Sequence, residues 1–354
     1  MTYFRAACAA IALLVAGGPA AAQEAGGPDA VLAKHGFEGS VLVSGGRWDG
    51  YARDPDTIWP FASVTKQVVA TLVMQQVEAG RLALDVPVDA YLRDWPRPPD
   101  PMAPFERDGE AVPEAVYTPP PLPAPTLRQL LRHQSGLYDP ETDPSYDWSA
   151  ARPIDPMMCV ARRSAPGESF AYNNCDTLLV GKILEEVTGE RLRDLILFRV
   201  TGPAGMENTG LAEYYQALPP SPGGASAEQI KRYGAAGGLL GPARDLVAFD
   251  RALMANTLLS APARAEMWRG DPQLGYTALG QWEFTTPLAG CDAPVRIVER
   301  RGAIPGYQAR NFIAPERGMA VVMFTARSES DYNFGEPWSG SGLSFDIMSA
   351  AFCG

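Results

Sequence analysis

Residues 59–80 constrain this chain more than any other stretch. Trp59-Pro60-Phe61-Ala62 reads as a short extended approach and is followed by Ser63-Val64-Thr65-Lys66. Val64, Val68, Val69, Leu72, Val73 and Val77 then recur at helical spacing until Gly80 supplies a stop. A serine in the first turn of such a helix lies near the positive end of its dipole, which favours a developing negative charge. Residues three apart share a helix face, so the Lys66 amine can approach the Ser63 hydroxyl. A serine attacks poorly until a neighbouring base takes its proton, and an adjacent lysine can help with that. With four lysines in the chain (Lys34, Lys66, Lys182, Lys231), chance matches to S-x-x-K are expected well below one. The competing reading is a helix-capping serine beside a solvated lysine.

Composition removes several other chemistries. There are two histidines, His35 and His133, and no G-x-S-x-G elbow. His133 lies where Leu130-Leu131-Arg132 runs into Gln134-Ser135-Gly136-Leu137, and reads as a turn or cap residue with a hydrogen-bonded ring. A serine nucleophile here is therefore better served by a lysine or tyrosine base. Histidines and cysteines show no zinc-ligand spacing, and no phosphate-binding glycine loop stands between strand and helix. No metal or organic cofactor is expected. The net charge of −11, without basic runs, argues against nucleic acid and anionic membranes as partners.

Residues 1–22 have the layout of a cleavable secretory signal. Arg5 stands in the short front, residues 6–16 are apolar, and Ala20-Ala21-Ala22 offers a small-residue cleavage site before Gln23. The apolar run is too short for a stable membrane span. The expected product is residues 23–354, periplasmic or secreted, with no stable membrane insertion after cleavage. It retains four cysteines, Cys159, Cys175, Cys291 and Cys353. An oxidising compartment permits two disulfides. Proximity favours Cys159 with Cys175, and elimination then leaves Cys291 with Cys353; buried free thiols are the alternative.

Along the chain, residues 39–43 and 57–61 read as strands around a polar turn. Proline is dense over residues 95–125, which excludes a regular helix or central strand and predicts an extended surface excursion, either a spacer or a cleft lining using Phe105 or Tyr117. Thr126 caps a helix over residues 127–132. Another is expected from Asp176, with Leu178, Leu179, Ile183, Leu184 and Val187 on its stripe, closed by Gly189. Residues 234–241 form a small-residue turn before an amphipathic helix reaching Met254. Residues 279–284, 295–298, 308–314 and 319–325 read as strands, and 345–352 as a terminal helix. A helical middle between strand-rich ends predicts an α+β fold in two lobes. One is an α/β lobe, an antiparallel sheet flanked by helices from about residues 28–62 and 240–354. The other is all-helical, at about 63–239.

Three motifs in order resemble the serine β-lactamase and penicillin-binding protein superfamily. Within it, they look most like the class C β-lactamase type, a branch that also holds D,D-peptidases and esterases. Ser63-Val64-Thr65-Lys66 matches the S-x-x-K element. Tyr172-Asn173-Asn174 matches Y-x-N, and residues 130–137 resemble the "LLxHxSGL" signature. Ala236-Gly237-Gly238-Leu239 and Asp245-Leu246 match a further turn and helix. The resemblance runs from Gly39 to about Phe352 and implies the β-lactamase/D,D-peptidase fold. Where the family carries K-T-G or H-x-G, this chain has Arg300-Arg301-Gly302, followed by a Pro305-Gly306-Tyr307 turn. Arg300 keeps the charge, and Gly302 still allows close backbone approach. Arginine cannot shuttle a proton at neutral pH, so a carboxylate-gripping or purely electrostatic role remains for it.

The resemblance implies a two-step acyl transfer on an ester, amide or β-lactam carbonyl of a small molecule or peptide. Ser63 is the nucleophile, and Lys66 and Tyr172 share its proton. Cationic Lys66 and Arg300 would lower the Tyr172 pKa from its usual ~10. Asn174 would donate to a substrate carbonyl and accept from Lys66. The backbone N–H groups of Ser63 and Ala303 would hold the oxyanion. A catalytically silent peptidoglycan- or penicillin-binding protein of the same fold is the alternative.

Overall fold

Strand β1 (Ser40–Ser44) opens the chain's main sheet, and β2 (Ala52–Arg53) pairs with it along one edge. Strand β3 (Trp59–Pro60) leaves that sheet and joins β5 (Leu239–Gly241) and β4 (Gly210–Leu211) in a three-stranded one, in the order β3-β5-β4. The four strands β6 (Trp282–Thr286), β7 (Val295–Ile304), β8 (Tyr307–Ala314) and β9 (Met319–Thr325) complete the large sheet. Its order is β2-β1-β9-β8-β7-β6, and every pairing is antiparallel. This computed structural model describes residues 27–96, 122–143, 147, 153–215 and 217–353. The leader-like segment and the centre of the proline-dense stretch, with Phe105 and Tyr117, lie outside them.

The large sheet is apolar on both faces because a different helical layer covers each. On one face Val41, Val43, Ile297, Phe312, Val321 and Met323 pack with Leu32 of the Pro28–Lys34 helix and with Leu343, Ile347, Met348 and Phe352 of the Leu343–Cys353 helix. The two ends of the described chain thus share one core. On the other face Leu42, Val298, Ala309, Ile313, Val322 and Phe324 meet the helices of the middle. The central one, Thr65–Glu78, is buried nearly all round, with Val68, Val69, Leu72 and Val73 inaccessible to solvent. Gly80, at φ +69°, ends it in the left-handed conformation that favours glycine. Burying a large aliphatic side chain contributes about 1.5–3 kcal/mol, so this helix owes its place to packing more than to propensity.

Local capping follows the residue types. Thr126 and Gln129 close a reciprocal capping box on the Leu127–Leu131 helix. The Asn174–Thr188 helix begins two residues earlier than Asp176, because the Asn173 side chain accepts from the Cys175 N–H and takes the cap. Asp176 is instead fully buried. Strand β7 runs six residues beyond the apolar 295–298 segment. Residues 299–303 are polar or small, yet β8 pairs with them and on through Ile304↔Tyr307. The Leu239–Gly241 part of the small-residue turn is strand β5. Disulfides join Cys159 to Cys175, as proximity favours, and Cys291 to Cys353, as elimination leaves. No helix among the described residues is long and apolar enough to cross a membrane.

Candidate active site

Ser63 sits in a 3-10 turn, Ala62–Val64, that runs directly into the Thr65–Glu78 helix. Ala62 has φ +46°, a conformation uncommon outside glycine, and it is buried. The backbone is held there from two sides. Gly302 of β7 lies so close that a Cβ on it would fall 2.4 Å from the Phe61 carbonyl oxygen and 2.9 Å from the Ser63 nitrogen. Gly237, from the segment before β5, packs against Ala62 on another side. The glycine two residues after Arg300 is therefore a steric requirement of the serine turn.

Lys66 is 1% exposed, and its three ammonium protons have three acceptors. Nζ donates to Ser63 Oγ at 3.2 Å, Asn174 Oδ1 at 2.7 Å and the Ala236 carbonyl at 2.6 Å. Burial lowers its pKa from 10.5 to about 8, although the Tyr172 charge opposes the change. Tyr172 comes from 109 residues further along, and its hydroxyl shares a 2.6 Å hydrogen bond with Ser63 Oγ. Burial of the phenol group opposes ionisation, but the charges of Lys66 and Arg300 outweigh it, so its pKa lies below the usual tyrosine value. Lys66 and Tyr172 thus both hold their protons less tightly than usual, and at this separation they titrate as a coupled acid/base pair.

Arg300 occupies a different place from a substrate clamp. It is 1% exposed, lying beneath the nucleophile rather than in the cleft. Its Nε donates to the Ser63 carbonyl oxygen at 2.9 Å and its Nη2 to Tyr172 Oη at 3.3 Å. The guanidinium also stands 4.9 Å from the centre of the Trp282 ring. With Nε directed at the backbone and Nη2 at Tyr172, its burial places it poorly for gripping a substrate carboxylate. The position is imposed by strand alternation, which turns Arg300 inward while Arg301 points to the opposite face.

Asn174 accepts from Lys66 as expected, and Tyr172 Oη approaches the same oxygen at 3.3 Å. Its Nδ2 donates to Glu141 Oε2 at 2.6 Å, which fixes the amide orientation and leaves one N–H for a ligand. Sequence reasoning missed Glu141. It follows a Tyr138-Asp139-Pro140 turn in a segment with no periodic pattern, and only the folded chain brings it to Asn174. Its other carboxylate oxygen is buried without a partner among the described residues, and burial holds its pKa above the usual glutamate value.

These groups face a cleft of about 410 Å³ lined by Ser63, Asn174, Glu141, Glu329, Tyr233 and Ala303, among others. Among the described residues the charged side chains in that lining, Glu141 and Glu329, are both acidic. Strand β6 stops pairing at Glu299, so residues 300–304 of β7 present an open edge beside Ser63. Ala303 is on that edge, where its N–H and that of Ser63 can act together as donors to a developing oxyanion.

Under Tyr172 lies a buried pair. His133 Nδ1 is 2.8 Å from Asp176 Oδ2, Ser135 donates to the other carboxylate oxygen, and the His133 and Tyr172 rings are 4.6 Å apart. Burial pushes the histidine pKa well down and the aspartate pKa well up, which favours the neutral forms of both. The imidazole supports Tyr172 from below and does not touch Ser63. That agrees with the turn reading of His133 and with its φ of +57°.

The Beta-lactamase family profile matches residues 9–338. A D-aminopeptidase of Cereibacter sphaeroides is 40% identical over 97 residues, 25% of this chain and 19% of that protein. Penicillin-binding protein 4 of Amycolatopsis lactamdurans is 29% identical over 166 residues, covering 46% of this chain and 38% of that one. The chain thus matches less than half the length of either curated relative. Among solved structures, a D-stereospecific amidohydrolase from Streptomyces sp. superposes with a TM-score of 0.66 at 24% identity, covering 91% of this chain and 95% of that one. The last likeness concerns the fold: helices with an antiparallel sheet. With its profile match spanning nearly the whole sequence, the chain belongs to the Beta-lactamase family.

Proposed function

We propose that this protein is an exported acyl-transfer hydrolase whose preferred acyl group carries a free ammonium, as in an amino acid amide or ester. One observation carries the hydrolase reading: Ser63 Oγ lies 2.6 Å from Tyr172 Oη and 3.2 Å from Lys66 Nζ. Ser63 attacks the carbonyl while the Tyr172–Lys66 pair takes its proton, and Tyr172 returns that proton to the leaving group. The N–H groups of Ser63 and Ala303 stabilise the oxyanion. Water then attacks the ester on Ser63, assisted by the same pair. The leader-like residues 1–22 and two disulfides support export to an oxidising compartment.

The substrate preference rests on charge. Glu141 and Glu329 line the cleft, and Arg300 is turned away from it, so a cationic substituent is favoured over a carboxylate. The names of the similar proteins, D-aminopeptidase and D-stereospecific amidohydrolase, fit that preference. Intact-mass analysis after fluorophosphonate treatment tests the nucleophile. The native chain should gain one adduct and Ser63→Ala none; equal labelling of both would sink the assignment. A panel of D- and L-phenylalanine amides, free or N-acetylated, then tests the charge reading. The free amines should turn over faster, and Glu141→Gln should erase the difference. Equal rates for free and acetylated amides would refute it. Labelling without turnover of any amide, ester or β-lactam would favour the silent binding protein.

A further inference from the structure

A second concavity of about 520 Å³ opens on the other side of β7. Its walls are aromatic: Trp282 at the start of β6, Tyr276 in the preceding turn, and Trp338 in the segment before the last helix. Trp338 is 58% exposed and Tyr276 47%, whereas side chains of this size are ordinarily mostly buried. Tyr276 is also held at φ +64°, a strained conformation for an aromatic residue and a recurrent mark of functional positions. The floor is charged but internally neutralised in part. Arg301 donates to both oxygens of Glu336 at 2.9 and 2.8 Å and to Glu299 at 2.9 and 3.1 Å.

The groove connects to the hydrolytic cleft by a run of aromatic rings. Trp282 is 6.3 Å from Phe170, Phe170 is 5.6 Å from His133, and His133 is 4.6 Å from Tyr172. Phe170 and Tyr172 are themselves partly exposed, at 37% and 39%. The run passes through the buried His133 ring, with the exposed Tyr172 and Phe170 at the cleft end and the exposed Tyr276 and Trp338 in the groove itself.

We propose that this groove is a binding site for neutral pyranose rings of an oligosaccharide. A pyranose presents a flat C–H face that packs on an indole or phenol ring, with hydroxyls around its rim that need donors and acceptors. Trp282, Trp338 and Tyr276 supply the faces. Glu336, whose carboxylate is partly exposed and keeps lone pairs beyond those Arg301 uses, supplies fixed acceptors at the edge. The volume falls within the ~300–1,000 Å³ usual for small-molecule sites. A purely hydrocarbon ligand would strip water from the Glu336–Arg301 pair without replacing its hydrogen bonds. An organic cation would compete with Arg301, whose guanidinium already lies 5.8 Å and 5.9 Å from the centres of Trp282 and Trp338. An anion would meet two carboxylates. The neutral, ring-shaped, hydroxylated ligand satisfies all three constraints.

Binding itself is independent of the acyl-transfer reading; only the further step, that the sugar belongs to the substrate attacked by Ser63, rests on it. The test is titration of the full chain with cellotetraose and with chitotetraose, followed by tryptophan fluorescence and calorimetry. At least one sugar should bind with a millimolar or tighter Kd and perturb the emission. Trp338→Ala should weaken it tenfold or more, as should Tyr276→Asn, while turnover of a small ester stays unchanged and certifies the fold of each variant. Absence of binding for both sugars at high millimolar concentration overturns the proposal, as does affinity unchanged in the double variant. So does tighter saturation by an alkyl glycerol ether or by tetramethylammonium. Sugar binding without Ser63 labelling would leave this site standing and remove the hydrolase reading; labelling without sugar binding would do the reverse.

Discussion

Replacing Arg300 by Met removes a buried guanidinium while keeping much of its apolar volume. The structure divides the consequence in two. The 2.9 Å bond from Nε to the Ser63 carbonyl is the same in ground and transition states, so its loss should appear as reduced stability. The 3.3 Å contact from Nη2 to Tyr172 Oη strengthens as the phenol ionises, so its loss should appear in the rate. A hydrogen bond to a charged group contributes about 1.5–3 kcal/mol, which corresponds to roughly a 10- to 150-fold fall in kcat/KM. Because Arg300 is one of the two cations that depress the Tyr172 pKa, removing it lets that pKa rise. The activity limb governed by Tyr172 then moves to higher pH. The assay is kcat/KM from neutral to alkaline pH for two esters of equal size, one neutral and one bearing a carboxylate, with thermal melts in parallel. Both esters should lose activity equally and both profiles should shift to higher pH. A loss confined to the carboxylate ester would show that the guanidinium reaches substrate and would refute the buried placement. An unshifted profile would disconnect Arg300 from Tyr172.

Three other perturbations follow from the geometry. Tyr172→Phe should reduce turnover by roughly 10²–10⁴, the usual worth of a positioned acid/base; near-native rates would return Tyr172 to a packing role. Gly302→Ala puts a methyl 2.4 Å from the Phe61 carbonyl, so labelling of Ser63 should collapse although β7 still pairs with β8; a fully reactive variant would mean that the serine turn tolerates displacement. Lys66 has a pKa of about 8 in the fold against 10.5 unfolded, so the unfolded chain holds more protons between those values and stability rises with pH across that window. Chemical denaturation of the native chain and Lys66→Met should therefore diverge in favour of the native chain from pH 8 upward, by up to about 3 kcal/mol near pH 10; a constant difference would remove the buried-ammonium argument.

What the sequence determined by itself is local. Ser63 and Lys66 are one helical turn apart, so any helix opening there brings amine and hydroxyl together. Thr126 with Gln129 announces its own capping box. Residues 319–325 read as a strand because β-branched and aromatic residues dominate them, and β8 and β9 follow the limits expected for 308–314 and 319–325 within a residue. Motif order carried Tyr172, Asn174 and Gly302 into the same neighbourhood, as a resemblance and not as a derivation.

The tertiary structure decided everything that depends on which side of a barrier a group lies. Arg300 and Arg301 are neighbours of the same type in the sequence. Pleating sends one under Ser63 and the other to a pair of glutamates, and no pattern in one dimension separates them. Glu141 has no periodicity to mark it and acquires meaning only where Asn174 meets it. The strained Ala62 backbone is invisible in an alanine, because it is enforced by a glycine 240 positions away. The proton affinities of Lys66 and Tyr172 are set by burial and by charges more than 100 residues distant along the chain, and distance along the chain is no guide to either.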